Sequence, residues 1–142
     1  MKLIDVMTRD VEVMSPDDTI REAAEKMRAL NVGVIPICDG DRVCGMVTDR
    51  DIVVRGLAVG KSADSTITEV MTPEVSWLYE DRDVNEAAKL MEDKQIRRVL
   101  VLNRDKKLVG IVSLGDLATE MHDEHLSAAV LETVSEPSAP AL

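Results

Sequence analysis

The side chains with the clearest chemical potential are a hydroxyl and a carboxylate three residues apart, and the arrangement occurs twice. Gly45-Met46-Val47-Thr48-Asp49-Arg50-Asp51 recurs as Gly110-Ile111-Val112-Ser113-Leu114-Gly115-Asp116. In each copy a glycine opens a short apolar run that reads as a strand, and the residues after it read as the start of a helix. Such a turn places Thr48 or Ser113 at a helix N-terminus, where unpaired backbone N–H groups favour an anion. Asp51 or Asp116, one turn on, is suited to bond a vicinal diol, as acidic residues do to ribose in other nucleotide folds. The same residue types are also ordinary helix caps, so a structural role stands beside the ligand role.

Other reactive residues carry weaker signals. Cys38 and Cys44 flank Asp39-Gly40-Asp41-Arg42 near opposite ends of an expected hairpin, a placement that suits two reduced thiols or a redox pair facing each other. No histidine lies nearby to complete a metal site with them. Gly60-Lys61-Ser62 hints at a phosphate loop, but Arg55 stands where the full motif needs its first glycine. His122 and His125 are three apart beside Glu120, Asp123 and Glu124, a spacing that fits either a metal on one helical face or a solvated acidic helix end. Trp77 reads as closing a core or an interface in preference to stacking on a ligand.

The elements that position these residues are themselves repeated. Val6-Met7-Thr8 matches Val70-Met71-Thr72 at an offset of 70 − 6 = 64, and Glu22-Ala23-Ala24 matches Glu86-Ala87-Ala88 at the same offset. Asp51 and Asp116 are 65 apart, so the second copy holds one extra residue, assigned to the turn Arg104-Asp105-Lys106-Lys107. Two copies with so long a period imply two similar subdomains rather than a solenoid. The repeats are assigned to 1–62 and 63–126, with a helix end and a disordered tail over 127–142.

Within each copy the pattern predicts the same order. Leu3 to Met7 begins a helical turn, and Val11 and Val13 alternate as a short strand. Thr19 with Glu22 fits a capping box. Ile20, Ala23, Ala24, Met27 and Leu30 then form an apolar helical face that Asn31 and Gly33 close. Val34–Cys38 and Val43–Val47 pair as strands, and a second helix runs from Asp49 to about Leu57. In the second copy Asp83 with Glu86 forms the cap, Val84, Ala87, Ala88 and Met91 the apolar face, Arg98–Leu102 and Leu108–Val112 the strands, and Leu117 to about Leu131 the last helix. Trp77 and Tyr79 alternate with Leu78 in a short strand.

Composition narrows the function. The 142 residues are 45% hydrophobic but only 1% aromatic, with no Phe, so the core is aliphatic. Few aromatics argue against a base-stacking platform for single-stranded nucleic acid. A net charge of −10 argues against a long phosphate-backbone footprint. A small anionic ligand needs only a local cluster of donors and stays compatible. No apolar run approaches 18 residues, and Met1-Lys2-Leu3-Ile4-Asp5 meets an acid too early for a signal peptide, so a soluble, cytoplasmic protein is expected.

Val-Met-Thr, Ser-Pro-Asp-Asp-Thr, Ile-Pro-Ile and Gly-Met-Val-Thr-Asp-Arg-Asp, in that order, resemble the cystathionine-β-synthase (CBS) domain, and the two copies resemble the tandem CBS pair, or Bateman module. The resemblance covers residues 1 to about 122 and extends to stand-alone CBS pairs of bacteria and archaea, which carries the expectation of a stress-response role. It implies an α+β (α/β) fold in which each repeat has a three-stranded sheet packed by two helices, in a pseudo-twofold pair that dimerises. It further implies an adenosyl ligand (AMP, ADP, ATP, S-adenosylmethionine or NAD) in the cleft between repeats, with no required cofactor. By that resemblance Thr48 with Asp51, and Ser113 with Asp116, hold ribose and phosphate. Ile35-Pro36-Ile37 and Val99-Leu100-Val101 border the cleft. Arg97, Arg98 and Arg50 are the candidates to reach phosphate. Leu100 replaces the usual proline, and Leu114-Gly115 the usual polar pair.

Three functions follow in order. The first is a non-catalytic sensor whose ligand shifts packing between two states, read by an effector protein. The second is a structural or partner-binding module without a nucleotide. The third, an enzyme, lacks a Ser-His-Asp set, a complete phosphate loop and a strong metal spacing.

Overall fold

The computed structural model describes residues 1–120. The chain divides into two compact units: Val11–Val75, and Met1–Asp10 together with the chain from Ser76 onward. The last predicted helix beyond Glu120, His122, His125 and the predicted tail over 127–142 lie outside the described residues.

In the unit Val11–Val75, helix α1 spans Ile20–Leu30. Thr19 caps it by accepting the Glu22 N–H at 3.1 Å. Asn31 ends it in the left-handed conformation, φ 53°, with its N–H returned to the Met27 carbonyl. Ile20, Ala23 and Met27 are buried, whereas Ala24 and Leu30 of the predicted apolar face are exposed. Strands β1 (Val34–Asp39) and β2 (Arg42–Thr48) pair antiparallel through a tight Gly40-Asp41 turn, with Gly40 at φ 62°. Met14, Ile35, Ile37, Val47, Ile67 and Val70 complete the core.

Val11 and Val13 do not form the predicted strand; only Met14 pairs, in a single parallel bridge to Ile37. The sheet here is therefore two-stranded, where three strands were expected. Pro36 tolerates this edge because the bridge uses its carbonyl, which accepts the Met14 N–H, and the Cys38 N–H, but not the missing proline N–H. The helical segment after β2 begins as α2 (Asp49–Asp51), widens into a π-turn over Ile52–Gly56 and tightens into a 3₁₀ turn over Leu57–Val59.

In the other unit, β3 (Trp77–Tyr79) pairs parallel with β4 (Arg98–Leu102), which pairs antiparallel with β5 (Leu108–Ser113). Between them lies α3 (Val84–Lys94), and after β5 comes α4 (Leu114–Glu120). The Asp83 side chain caps α3 by accepting the N–H of Asn85 at 2.8 Å, the Glu86 N–H goes to the Asp83 carbonyl at 3.0 Å, and the Glu86 carboxylate sits 3.8 Å from Arg82. Gln95 ends α3 at φ 53°, the counterpart of Asn31. Val84, Ala87, Ala88 and Met91 pack on Val99, Val101 and Val112, with Leu3, Met7, Leu114 and Leu117 closing the core.

The compact units and the sequence repeats divide the chain differently. Val70-Met71-Thr72, which leads the second repeat, lies along β2: Met46 and Thr72 exchange backbone hydrogen bonds of 2.9 and 2.8 Å. Val6-Met7-Thr8, which leads the first, lies along β5: Ile111 and Thr8 exchange bonds of 3.0 and 2.9 Å. Each lead segment thus satisfies an otherwise bare strand edge in the neighbouring repeat's sheet.

Candidate functional site

Thr48 and Asp51 bond each other reciprocally. The Thr48 hydroxyl accepts the Asp51 N–H at 3.1 Å, and Asp51 Oδ2 accepts the Thr48 N–H at 3.0 Å. Ser113 and Asp116 do the same, with bonds of 3.1 and 2.8 Å. Both pairs are part-buried capping boxes at a strand-to-helix turn. Each turn is closed by one further bond of the same kind: the Asp49 N–H to the Gly33 carbonyl at 3.0 Å, and the Leu114 N–H to the Arg97 carbonyl at 2.8 Å. Strand register places Val34 opposite Thr48 and Arg98 opposite Ser113.

The remaining predicted residues fall around these turns unevenly. Arg50 is exposed in the first turn, and its N–H is bonded by the Asp49 side chain at 2.8 Å. Arg55, which sequence reasoning did not select, places Nη1 3.9 Å from Asp51 Oδ1. Its signal was the i,i+4 spacing to Asp51. Arg97 is exposed and Arg98 half-buried beside the second turn. Ile35 is fully buried in the aliphatic core and Pro36 is buried in β1, so the Ile35 side chain faces Ile37 and Val47. In the second copy Val99, Leu100 and Val101 are fully buried.

The weaker candidates resolve as structure. Lys61 Nζ pairs with Glu69 at 3.2 Å and Ser62 Oγ accepts the Asp64 N–H at 3.2 Å, so Gly60-Lys61-Ser62 is a self-satisfied turn. Cys38 is buried opposite Val43, and Cys44 occupies the irregular step of the β1/β2 ladder; both are free thiols. Burial pushes the Cys38 thiol above its ordinary 9.0, and the neighbouring Cys44 and Asp41 push the same way. Among the described residues no group of three or more His, Cys, Asp or Glu could hold a metal ion.

Trp77 does not close the core: it is 40% exposed and meets Tyr79 edge-on, with ring centroids 5.0 Å apart. Trp77, Leu78, Tyr79, Arg82 and Glu86 line an open cavity of about 280 Å³. None of those residues belongs to the hydroxyl–carboxylate turns. Arg104 covers the Tyr79 ring at 4.1 Å and forks onto Asp81 with bonds of 3.0 and 2.9 Å.

Two duplicated helix–strand–strand–helix blocks, the second with an added leading strand, each carry a capped hydroxyl-x-x-Asp turn after the last strand and define a tandem repeat module. The CBS domain family's sequence pattern matches residues 3–57 and 67–123, and the chain belongs to that family. It is similar to the uncharacterised protein YlbB of Bacillus subtilis, at 41% identity over 137 residues covering 95% of this chain and 92% of that protein. It is likewise similar to hypoxic response protein 1 of Mycobacterium tuberculosis, at 35% identity with 95% and 94% covered. Among solved structures, Hypoxic Response Protein I with two coordinated zinc ions has a TM-score of 0.76 at 36% identity, covering 85% of this chain and 99% of that one. The CBS domain pair of protein MJ0100, in complex with 5′-methylthioadenosine and S-adenosyl-L-methionine, has a TM-score of 0.74 at 28% identity, with 84% and 94% covered. The matches mark the chain as a CBS pair of the α+β fold.

Proposed function

We infer that this CBS pair is a non-catalytic sensor of an adenosyl ligand, held by Thr48 with Asp51 or Ser113 with Asp116, and that binding alters packing for an effector protein to read. The observation that carries this reading is the duplicated strand-to-helix turn, which presents a hydroxyl and a carboxylate in the same geometry in both units. The family membership and the adenosyl compounds held by the MJ0100 pair support the ligand class. Similarity to hypoxic response protein 1 supports a stress-response setting. Among the described residues no helix is long and apolar enough to cross a membrane, which agrees with a cytoplasmic sensor.

The sensor acts as a homodimer in this reading. Support comes from Val53, Val54, Leu57 and Val59, exposed along the helical segment after β2, with Leu57 at 74% and Val59 at 65%. Contiguous aliphatic exposure of this kind marks association surfaces. Sedimentation equilibrium of the wild type and of Leu57→Glu tests it: a dimer weakened by the charge is expected, and a wild-type monomer would contradict it.

A second reading is favoured by one fact: both hydroxyl–carboxylate pairs already satisfy each other as caps. In that account the turns are structural and the module binds protein alone. Calorimetric titration with AMP, ADP, ATP, S-adenosylmethionine and NAD separates the two. A saturable response lost in Asp51→Ala or Asp116→Ala, measured well below the melting temperature of each variant, supports the sensor. No response from the folded protein supports the structural module.

A further inference from the structure

The only Trp and the only Tyr of a chain without Phe stand two residues apart in β3, an edge strand. β3 meets β4 through the Ser76 carbonyl, which accepts the Leu100 N–H at 3.1 Å, and the Glu80 N–H, which goes to the Leu102 carbonyl at 2.8 Å. Alternate residues of a strand turn their backbone groups to opposite edges, so those of Trp77 and Tyr79 point away from β4. The Tyr79 carbonyl accepts the Arg82 N–H at 3.0 Å; among the described residues the N–H groups of Trp77 and Tyr79 and the Trp77 carbonyl have no partner. The consecutive residues Trp77, Leu78 and Tyr79 all line the cavity of about 280 Å³, with Arg82 and Glu86, so the hollow runs along the strand edge rather than over one face of the sheet. The first repeat closes the equivalent place. Val13 stands at the position of Trp77, and its carbonyl accepts Lys26 Nζ at 3.4 Å while the same amine pairs with Glu12 at 3.2 Å. Where the first repeat has Lys26, the second has Leu90, which has nothing to donate.

We propose that the outer edge of β3 is a docking site for an extended basic peptide, which adds to the sheet as a further strand and seats an apolar side chain in the hollow beside Trp77. The inference stands whether or not the hydroxyl–carboxylate turns hold a nucleotide. Unpaired backbone groups in a row are what strand addition uses. Trp, Tyr and Arg dominate binding energy at interfaces, and here Trp77 is 40% exposed, Tyr79 lies edge-on to it and Arg104 covers the Tyr79 ring. Asp81 in turn holds Arg104, so the aromatic pair is fixed before a partner arrives. Charge selects the partner. Glu86 lines the hollow and is met only by Arg82 at 3.8 Å, and Glu80, at the end of β3, forms no ion pair among the described residues. Lysines flanking the docked segment are attracted to these carboxylates, whereas a second copy of this chain brings its own net charge of −10.

The test uses the full chain and reads Trp77 fluorescence, which reports on this edge alone because the chain has no other Trp. The probe is the capped peptide Lys-Leu-Lys-Leu-Lys, set against Glu-Leu-Glu-Leu-Glu and against the lysine peptide methylated at every backbone nitrogen, which keeps the side chains but cannot donate to a strand. The expected result is a saturable blue shift with the lysine peptide, roughly tenfold weaker binding of the glutamate peptide and no shift from the methylated one. Calorimetry on Trp77→Val, which copies the first repeat and is shown folded by an unchanged melting temperature, is expected to give about tenfold or greater loss of lysine-peptide affinity. Equal binding of the methylated peptide would overturn strand addition, and equal binding of the two charge types would overturn the basic partner. A blue shift that grows with protein concentration in the absence of peptide would give the edge to a second copy and overturn the proposal. So would an unchanged affinity in Trp77→Val, or no response of the folded wild type to the lysine peptide.

Discussion

The Thr72 carbonyl oxygen lies 2.6 Å from where a Cβ on Gly45 would stand. That gap explains why a glycine opens the motif. The Met71-Thr72-Pro73 backbone rests directly on β2, and Met46 binds it through both backbone groups. Gly110 does the same for Thr8, whose carbonyl would lie 2.8 Å from an added Cβ.

Gly45→Ala is therefore expected to destabilise the protein by about 1–3 kcal/mol, as overpacking against backbone does. Gly115→Ala is the control. Its added Cβ would meet nothing closer than Ser113 Oγ at 3.6 Å, and alanine in a helix is favoured over glycine by roughly 0.5–1 kcal/mol. Urea denaturation of the two variants should move in opposite directions. A tolerated Gly45→Ala would mean that the Thr72 segment is not held against β2.

The reciprocal caps predict coupling. Thr48→Ala and Asp51→Ala should each cost about 1 kcal/mol, and the double variant should cost less than their sum, because either change removes part of the same box. A double-mutant cycle by urea denaturation measures the difference. Strict additivity would show that the two bonds act independently.

Acid should weaken the fold through Asp81 and Asp83. Hydrogen bonds from Arg104 hold the Asp81 carboxyl below its ordinary 3.8, and the Asn85 N–H does the same for Asp83 at the α3 cap. In the unfolded chain both return to the ordinary value, so near that pH the unfolded state binds more protons. Their contribution is present at neutral pH, begins to fade as the pH falls toward the ordinary value, and is gone below the folded values. Melting temperature against pH should fall less steeply through that range in Arg104→Gln, which frees Asp81. Both carboxylates are exposed, so the change is small.

The thiols should react unequally. Cys38 is buried with its thiol pushed up, while Cys44 is half-buried. Since the thiolate is the reactive form, iodoacetamide at mildly alkaline pH should label Cys44 first, as peptide mass analysis of a time course would show. Faster labelling of Cys38 would mean that the end of β1 opens readily.

Much of this architecture was legible in residue patterns because it is local. The offset of 64 aligned Thr19 with Asp83, and both N-cap positions hold. Buried Ile20, Ala23 and Met27 follow helical spacing, and Gly40-Asp41 marks its own hairpin. What escaped was non-local or a matter of fine geometry. Nothing in the period of Val11 and Val13 says that only Met14 would find a partner, since pairing depends on Ile37, far along the chain. The π-turn over Ile52–Gly56 leaves the apolar pattern unchanged. The hydroxyl–carboxylate turns were visible by type and spacing, but their mutual bonding was not. The destination of the two Val-Met-Thr segments was hidden for the same reason: a motif records what leads a repeat, not which strand it will cover.

That exchange also sets an order of events on the ribosome. Val11–Val75 is one unbroken stretch, and its covering segment at Thr72 emerges with it, so this unit can finish while the rest of the chain is still being made. Thr8 must wait for Ile111, 111 − 8 = 103 residues later. Leu3 and Ile4 find the Arg82 and Glu80 carbonyls earlier, so Thr8 is the part of this segment that is secured late, by closing a long loop. The segment is therefore claimed in two stages, at Leu3 and Ile4 by the chain around Glu80–Arg82 and at Thr8 only when β5 has been made.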